Sequence, residues 1–185
     1  MVEWIALIAV AMIVLYGIVL FNRLLGTRQM ANEAWSGIDV QLKRRSDLIP
    51  NLVETVKGYA AHERGLLAEV TELRNQARAL AGDDVKGREQ AEGALSLAVG
   101  KLLALAEAYP DLKASANFLE LQQELSRIEN EIQMARRYYN GAVRNLNTLV
   151  ESVPSNVVAK LTGFVQRAYF ELADATERAV PRVSV

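Results

Sequence analysis

From Val2 to Phe21 the chain reads VEWIALIAVAMIVLYGIVLF, apolar except for Glu3. A helix of about 20 residues rises about 30 Å, which matches the hydrocarbon core of a bilayer. Residues 1–22 are therefore expected to form a transmembrane anchor. Trp4 and Phe21 lie near its two ends and Tyr16 further in; of these, Trp4 is the one well placed as an interfacial anchor. A cleaved signal peptide is the rival reading. It is disfavoured because the segment has no basic n-region, its apolar run is too long, and no A-x-A site follows. After the span come Arg23 and Arg28, then Lys43, Arg44 and Arg45, whereas the other flank holds only the amino terminus and Glu3. The positive-inside rule then predicts the amino terminus outside and the carboxyl-terminal part in the cytoplasm.

Past the anchor the apolar positions alternate at spacings of three and four. One register runs Trp35, Ile38, Leu42, Arg45, Ile49, Leu52, Val56, Tyr59, Glu63, Leu66, Val70, Leu73, Ala77 and Leu80, interrupted only by Arg45 and Glu63. A stripe this long predicts helices packed side by side at shallow angles. Val40, Leu48, Val53, Ala60 and Leu67 widen it into a bundle face. Pro50 removes one helical hydrogen bond and crowds the carbonyl of Ser46. Because the hydrophobic phase survives it, a kink is expected there and not a reversal.

Gly82–Asp84 predicts a helix stop followed by a new N-cap. A second helix is expected over Val85–Ala108, with Ala91, Leu95, Ala98, Leu102, Leu105 and Tyr109 in register. Leu97, Val99, Leu103 and Ala106 add a second apolar face, so this helix is expected to be the most buried of the three. Tyr109-Pro110-Asp111 ends it. Asn117 and Glu120 resemble a capping box opening a third helix, whose register is Phe118, Leu121, Leu125, Ile128, Ile132, Ala135, Tyr139, Ala142, Leu146, Leu149 and Val153. Its expected length is roughly 50 Å. Pro154 stops it, and Ser155 or Asn156 caps a short helix carrying Val157, Val158, Leu161, Phe164 and Val165, apolar enough to dock on the bundle or on the membrane surface. Pro181–Val185 has no periodicity and is expected to fray.

The pattern predicts an all-α protein: an N-terminal transmembrane helix, then an antiparallel bundle of three long helices plus a short C-terminal helix. The expected division is residues 1–22 as anchor, 23–170 as helical bundle domain and 171–185 as a partly flexible tail. Composition agrees, since only 4 prolines occur while good helix formers abound. A formal net charge of −1 argues against a general polyanion binder and hence against nucleic acid as a partner. With no cysteine there can be neither disulfides nor thiolate metal sites.

Candidate chemistry is thin. His62-Glu63 begins like the zinc-protease motif H-E-x-x-H, but Leu66 stands where the second histidine would be and no other histidine exists. The carboxylates Glu129, Glu131, Asp83 and Asp84 have no partner at di-metal spacing, and no phosphate loop or nucleophile elbow occurs. No catalytic, cofactor or metal residue is assigned, and no small-molecule substrate is expected. The densest charge cluster, Gln41 to Asp47, reads either as a solvated face, with Asp39–Lys43 as an i,i+4 pair, or as an interaction surface. Arg45 and Glu63 hold core register positions, so each is expected to mark a polar layer or to face a neighbouring subunit. Tyr138, Tyr139, Asn140, Arg144, Asn145 and Asn147 read as an internal polar network or a recognition surface. The residues retained for an interaction surface are Asp39, Gln41, Lys43, Arg44, Arg45, Asp47, Asn140, Arg144 and Asn147.

The stretch Ala34-Trp35-Ser36-Gly37-Ile38-Asp39-Val40-Gln41-Leu42-Lys43-Arg44-Arg45, followed by Asp47-Leu48-Ile49-Pro50-Asn51-Leu52-Val53, resembles the LemA family of bacterial membrane proteins. The likeness continues from Glu54 to Ala60 and at His62-Glu63, and resumes at Asn117-Phe118, Tyr139-Asn140, Val143-Arg144 and Asn147. It closes with Pro154-Ser155-Asn156, Gly163-Phe164 and Tyr169-Phe170-Glu171. This chain departs from the family pattern at Ser46, where histidine is frequent. The resemblance implies an amino-terminal anchor in the bacterial inner membrane and an all-helical cytoplasmic bundle, with no known enzymatic activity. The leading expectation is a non-enzymatic scaffold, held in the lipid bilayer, that self-associates as a homo-oligomer through its bundle faces. The alternative is an adaptor that presents a polar face to another membrane protein such as a protease or transporter.

Overall fold

A computed structural model describes residues 1–80 and 84–171. Those residues form six α-helices and no strand: α1 Val2–Tyr59, α2 Arg64–Ala79, α3 Val85–Leu105, α4 Pro110–Lys113, α5 Ala116–Glu151 and α6 Ser155–Thr162, with a 3-10 turn at Ala106–Ala108. The chain divides into two compact units. Among the described residues, unit one comprises Met1–Ile38 and Ala135–Tyr169, and unit two those between Asp39 and Met134 together with Phe170 and Glu171. Gly82 and Asp83 of the expected helix stop, and the expected tail from residue 172 on with its Pro181–Val185 end, lie outside the described residues.

In unit one, α1 changes environment along its length. From Val2 to Val19 it buries almost nothing, whereas Leu20, Leu24, Ala31, Ala34 and Ile38 are all buried. The first stretch is long and apolar enough to cross a membrane. Leu24 joins Leu146 of α5 and Ala159 and Phe164 at α6 in a small core, with Leu25, Leu149, Val150 and Val158 packed around it. The rings of Phe21 and Phe164 meet edge to face at 5.9 Å, and Trp35 lies against Tyr139 at 5.3 Å. Gly163 ends α6 in the left-handed region at φ 76°, where a side chain would be strained, and Phe164 N donates back to Ala159 O at 2.9 Å.

In unit two the expected bundle is present, but its first long helix is two. α1 ends at Tyr59, and after Ala60–Glu63 the chain re-enters as α2. α2 runs back along α1: Arg74 Nε donates to the Ser46 carbonyl at 2.8 Å, and Arg78 lies 3.7 Å from Asp47. The hydrophobic register crosses this reversal unbroken because both arms face one core, where Ile49, Leu52 and Val56 meet Val70 and Ala77. Pro50, by contrast, sits inside the continuous α1. Proline removes the donor that Ser46 O would accept from, and Arg74 supplies a replacement.

α3 contributes Leu95, Ala98, Val99 and Leu102 to the same core, and α5 contributes Phe118 and Leu125. Each large aliphatic side chain so buried stabilises the fold by about 1.5–3 kcal/mol. Asp84 caps α3 as expected, its carboxylate accepting from Gly87 N at 2.9 Å. Leu97, from the second apolar face, stays 59% exposed. α3 gives way to the 3-10 turn at Ala106, Tyr109 is extended at φ −122°, and Pro110 opens the short α4, which the pattern did not predict. α5 opens at Ala116, so Asn117 is the second helical residue and not the cap.

Candidate functional site

The polar residues gather into two sets, one in each unit. In unit two the centre is Arg45, wholly buried on the core face of α1. A guanidinium cannot stay there unpaired. Its Nη1 donates to Glu129 on α5 at 2.7 Å and to Ser96 on α3 at 2.6 Å. Its Nη2 donates to the Glu92 carboxylate at 2.5 Å and the Glu92 carbonyl at 3.3 Å. Arg88, also buried, binds the other Glu92 oxygen through Nε at 2.9 Å and reaches Asp39 of α1 at 3.1 Å. Burial pushes the Arg45 guanidinium towards losing its proton; Glu129 and Glu92 together more than offset that, so its pKa is raised above the ordinary value.

Two cations and three carboxylates thus join α1, α3 and α5. The order of charge along the layer is Asp39, Arg88, Glu92, Arg45, Glu129. Two of the three carboxylates retain solvent contact, Asp39 at 53% and Glu129 at 41% side-chain exposure, while Glu92 is enclosed between both guanidiniums. Chemically the arrangement is a closed set of ion pairs. Among the described residues no three His, Asp or Glu side chains are grouped to hold a metal.

Other polar residues fall elsewhere. Lys43 pairs with Asp47 at 3.0 Å, not with Asp39 as the spacing suggested, because Asp39 is drawn to Arg88. The hydrogen bond from Lys43 holds the Asp47 carboxyl below its ordinary value, against opposition from burial and with help from the charges of Lys43, Arg78 and Arg74. Arg44 is exposed and Gln41 half-buried. Glu63 belongs to no buried layer; it is half-buried just before α2, beside the exposed His62. Of the residues retained for an interaction surface, Arg45 is therefore withdrawn into the core.

The buried polar side chains described in unit one are neutral. Asn147 is buried, its Nδ2 donating to the Arg167 carbonyl at 2.9 Å while its Oδ1 accepts from Arg167 N at 2.8 Å. It satisfies both main-chain groups of Arg167, and it too is no surface residue. Buried Tyr139 donates through its hydroxyl to the Ala168 carbonyl at 3.0 Å. Asn140 is half-buried; Arg144 and Tyr138 are exposed. Sequence reasoning missed Arg88 and Glu92. The signal was present, since Val85, Arg88, Glu92, Leu95, Val99 and Leu102 alternate at three and four, placing an i,i+4 charge pair in a core register that could answer Arg45.

Residues 34–185 match the LemA family. The chain is 26% identical over 160 residues to Magnetosome protein MamQ 2 of Paramagnetospirillum magneticum, a match covering 74% of this chain and 59% of that protein. It is 23% identical over 174 residues to Magnetosome protein MamQ of Magnetospirillum gryphiswaldense, covering 81% and 64%. It is 28% identical over 155 residues to Protein LemA of Metamycoplasma hominis, covering 83% and 69%. The chain thus spans about 59–64% of the length of the magnetosome relatives it matches.

Proposed function

The chain belongs to the LemA family, and from that premise we propose that it is a membrane-anchored, non-enzymatic scaffold that self-associates through a cytoplasmic helical bundle. The observation that carries the reading is the change along α1, unburied and apolar before Leu20 and packed into cores from there on. One helix thereby supplies both a membrane span and a bundle element. Arg23 and Arg28 beside the span, with exposed Lys43 and Arg44 beyond, favour an outside amino terminus and a bundle in the cytoplasm of a bacterial inner membrane. Buried Arg45, Arg88 and Glu92 are tied up in ion pairs within and between helices, which suits a structural element better than a reactive one. Self-association is assigned to the large apolar side chains that unit two leaves outside, Leu97 foremost.

Light scattering of the full-length chain in nanodiscs, over a range of protein-to-lipid ratios, tests this. A defined oligomer that Leu97→Glu weakens would support the scaffold. A monomer at every ratio would remove it and leave the adaptor reading, which rests on the exposed Lys43, Arg44 and Asp47 face. Crosslinking in membranes, with charge reversals at those three positions, would then decide whether that face holds a partner.

A further inference from the structure

Unit one leaves an apolar face uncovered. Val157 and Leu161 on α6 are exposed at 55% and 81%, and Val153 and Val165 flank them at 82% and 75%. Four residues apart, Val157 and Leu161 share one side of the helix. The other side is occupied: Ser155 and Ala159 are buried, Ala159 against Leu24 and Phe164. A contiguous apolar face on one turn of structure asks for a cover.

Its position says what the cover is. Phe164, just after α6, meets Phe21, the last residue of the apolar run. The guanidinium of Arg28 lies over the Phe164 ring, 4.8 Å from its centroid. Seven residues of helix place Arg28 about 10 Å beyond Phe21 along α1. Apolar span, aromatic ring and guanidinium follow one another in the order that a bilayer changes from hydrocarbon to headgroup. Exposed Arg23 and Lys160 stand at the same end.

We propose that α6 is an interfacial helix, its Val157–Leu161 face and the adjoining Val153 and Val165 buried at the headgroup boundary of the bilayer that α1 crosses. The inference rests on reading Val2–Phe21 as a membrane span. Charge separates a lipid surface from a second copy as the cover. Lys160 on α6 itself, with Arg23 and Arg28 on α1 near the Phe21–Phe164 contact, are like charges that two copies would oppose and that anionic headgroups complement.

The chain has no cysteine, so one introduced thiol reports one place. Full-length Leu161→Cys, Ile13→Cys and Gln122→Cys are labelled with an environment-sensitive fluorophore and reconstituted into nanodiscs of zwitterionic and anionic phospholipid. Lipids brominated at shallow or deep positions quench from the membrane, and iodide quenches from water. The Leu161 label should lose most of its emission to shallow bromines, the Ile13 label to deep ones, and the Gln122 label to iodide alone. Quenching of Leu161 should strengthen as the anionic fraction rises. Free access of iodide to Leu161, with Ile13 still quenched by lipid, overturns the proposal and leaves the anchor standing. Loss of lipid quenching at Ile13 brings down the span and the proposal together. Shielding of Leu161 from both quenchers, growing with protein-to-lipid ratio, means that a second copy covers the face and equally overturns it.

Discussion

The buried polar layer of unit two is charged, whereas the buried polar side chains described in unit one are neutral, and the reason lies in what each has to join. Where α1, α3 and α5 meet in unit two, the helices have already used most of their main-chain donors and acceptors, so the polar links between them run chiefly from side chain to side chain. Arg45, with Glu92 and Glu129 on two other helices, is such a link. In unit one the chain after Gly163 forms no helix or strand and brings main-chain groups that need partners. An amide carries both a donor and an acceptor, and Asn147 satisfies the N–H and C=O of Arg167 at once. The difference also predicts how each unit fails. Removing one member of a buried ion pair strands a charge, whereas removing a neutral partner strands only a dipole.

The largest effect is therefore expected from Arg45→Ala. It leaves the Glu92 carboxylate buried beside Arg88 alone and should cost about 3–5 kcal/mol in guanidinium unfolding of the chain in detergent, followed by circular dichroism. Arg45→Met combined with Glu92→Leu should recover only part of that loss, because it removes that pair but leaves buried Arg88 with Asp39 as its acidic partner. A cost below about 1 kcal/mol for Arg45→Ala would mean that the layer fastens nothing. Asn147→Ala comes next, at about 1–3 kcal/mol, with faster hydrogen exchange at the Arg167 amide. If it matched Arg45→Ala, the contrast between charged and neutral fastening would collapse.

A finer test concerns Pro50. Arg74→Met should cost about 1 kcal/mol in the native background by orphaning the Ser46 carbonyl, and close to nothing once Pro50→Ala restores a helical donor. Equal costs in both backgrounds would show that Arg74 acts through something else. The smallest effect belongs to the surface pair. Asp47 has a depressed folded-state pKa, so its contribution is complete above the ordinary carboxylate value and disappears as pH falls through the lowered one. Lys43→Gln should thus cost about 0.3–0.5 kcal/mol at neutral pH and nothing in strong acid. A penalty that persisted in acid would point to lost packing of the lysine stem.

Much of this was legible in the chain. The alternation of three and four along Phe118–Leu149 corresponds to the buried face of α5, and Asp84 caps α3 where its position before Val85 said it would. The reversal at Ala60–Glu63 was hidden because a register counts residues, not direction. Two arms folded on one core continue the same count. Arg45 was recognisable as a charge in a core position, but Arg88 and Glu92 went unremarked because the register of the second helix was taken from Ala91, one position from Glu92.

The sequence by itself determined that the chain is helical, where most helices start and stop, and that Val2–Phe21 is built for an apolar solvent. Those properties depend on hydrogen bonds within a turn or two and on local polarity, which lie close together along the chain. Only the tertiary structure decided that Glu92 and Glu129 answer Arg45, that Arg74 relieves Pro50, and that Asn147 turns inward to Arg167. These pairings join residues 20 to 84 positions apart. They depend on how far each helix slides and rotates against its neighbours, which packing of the whole core settles and no local pattern records.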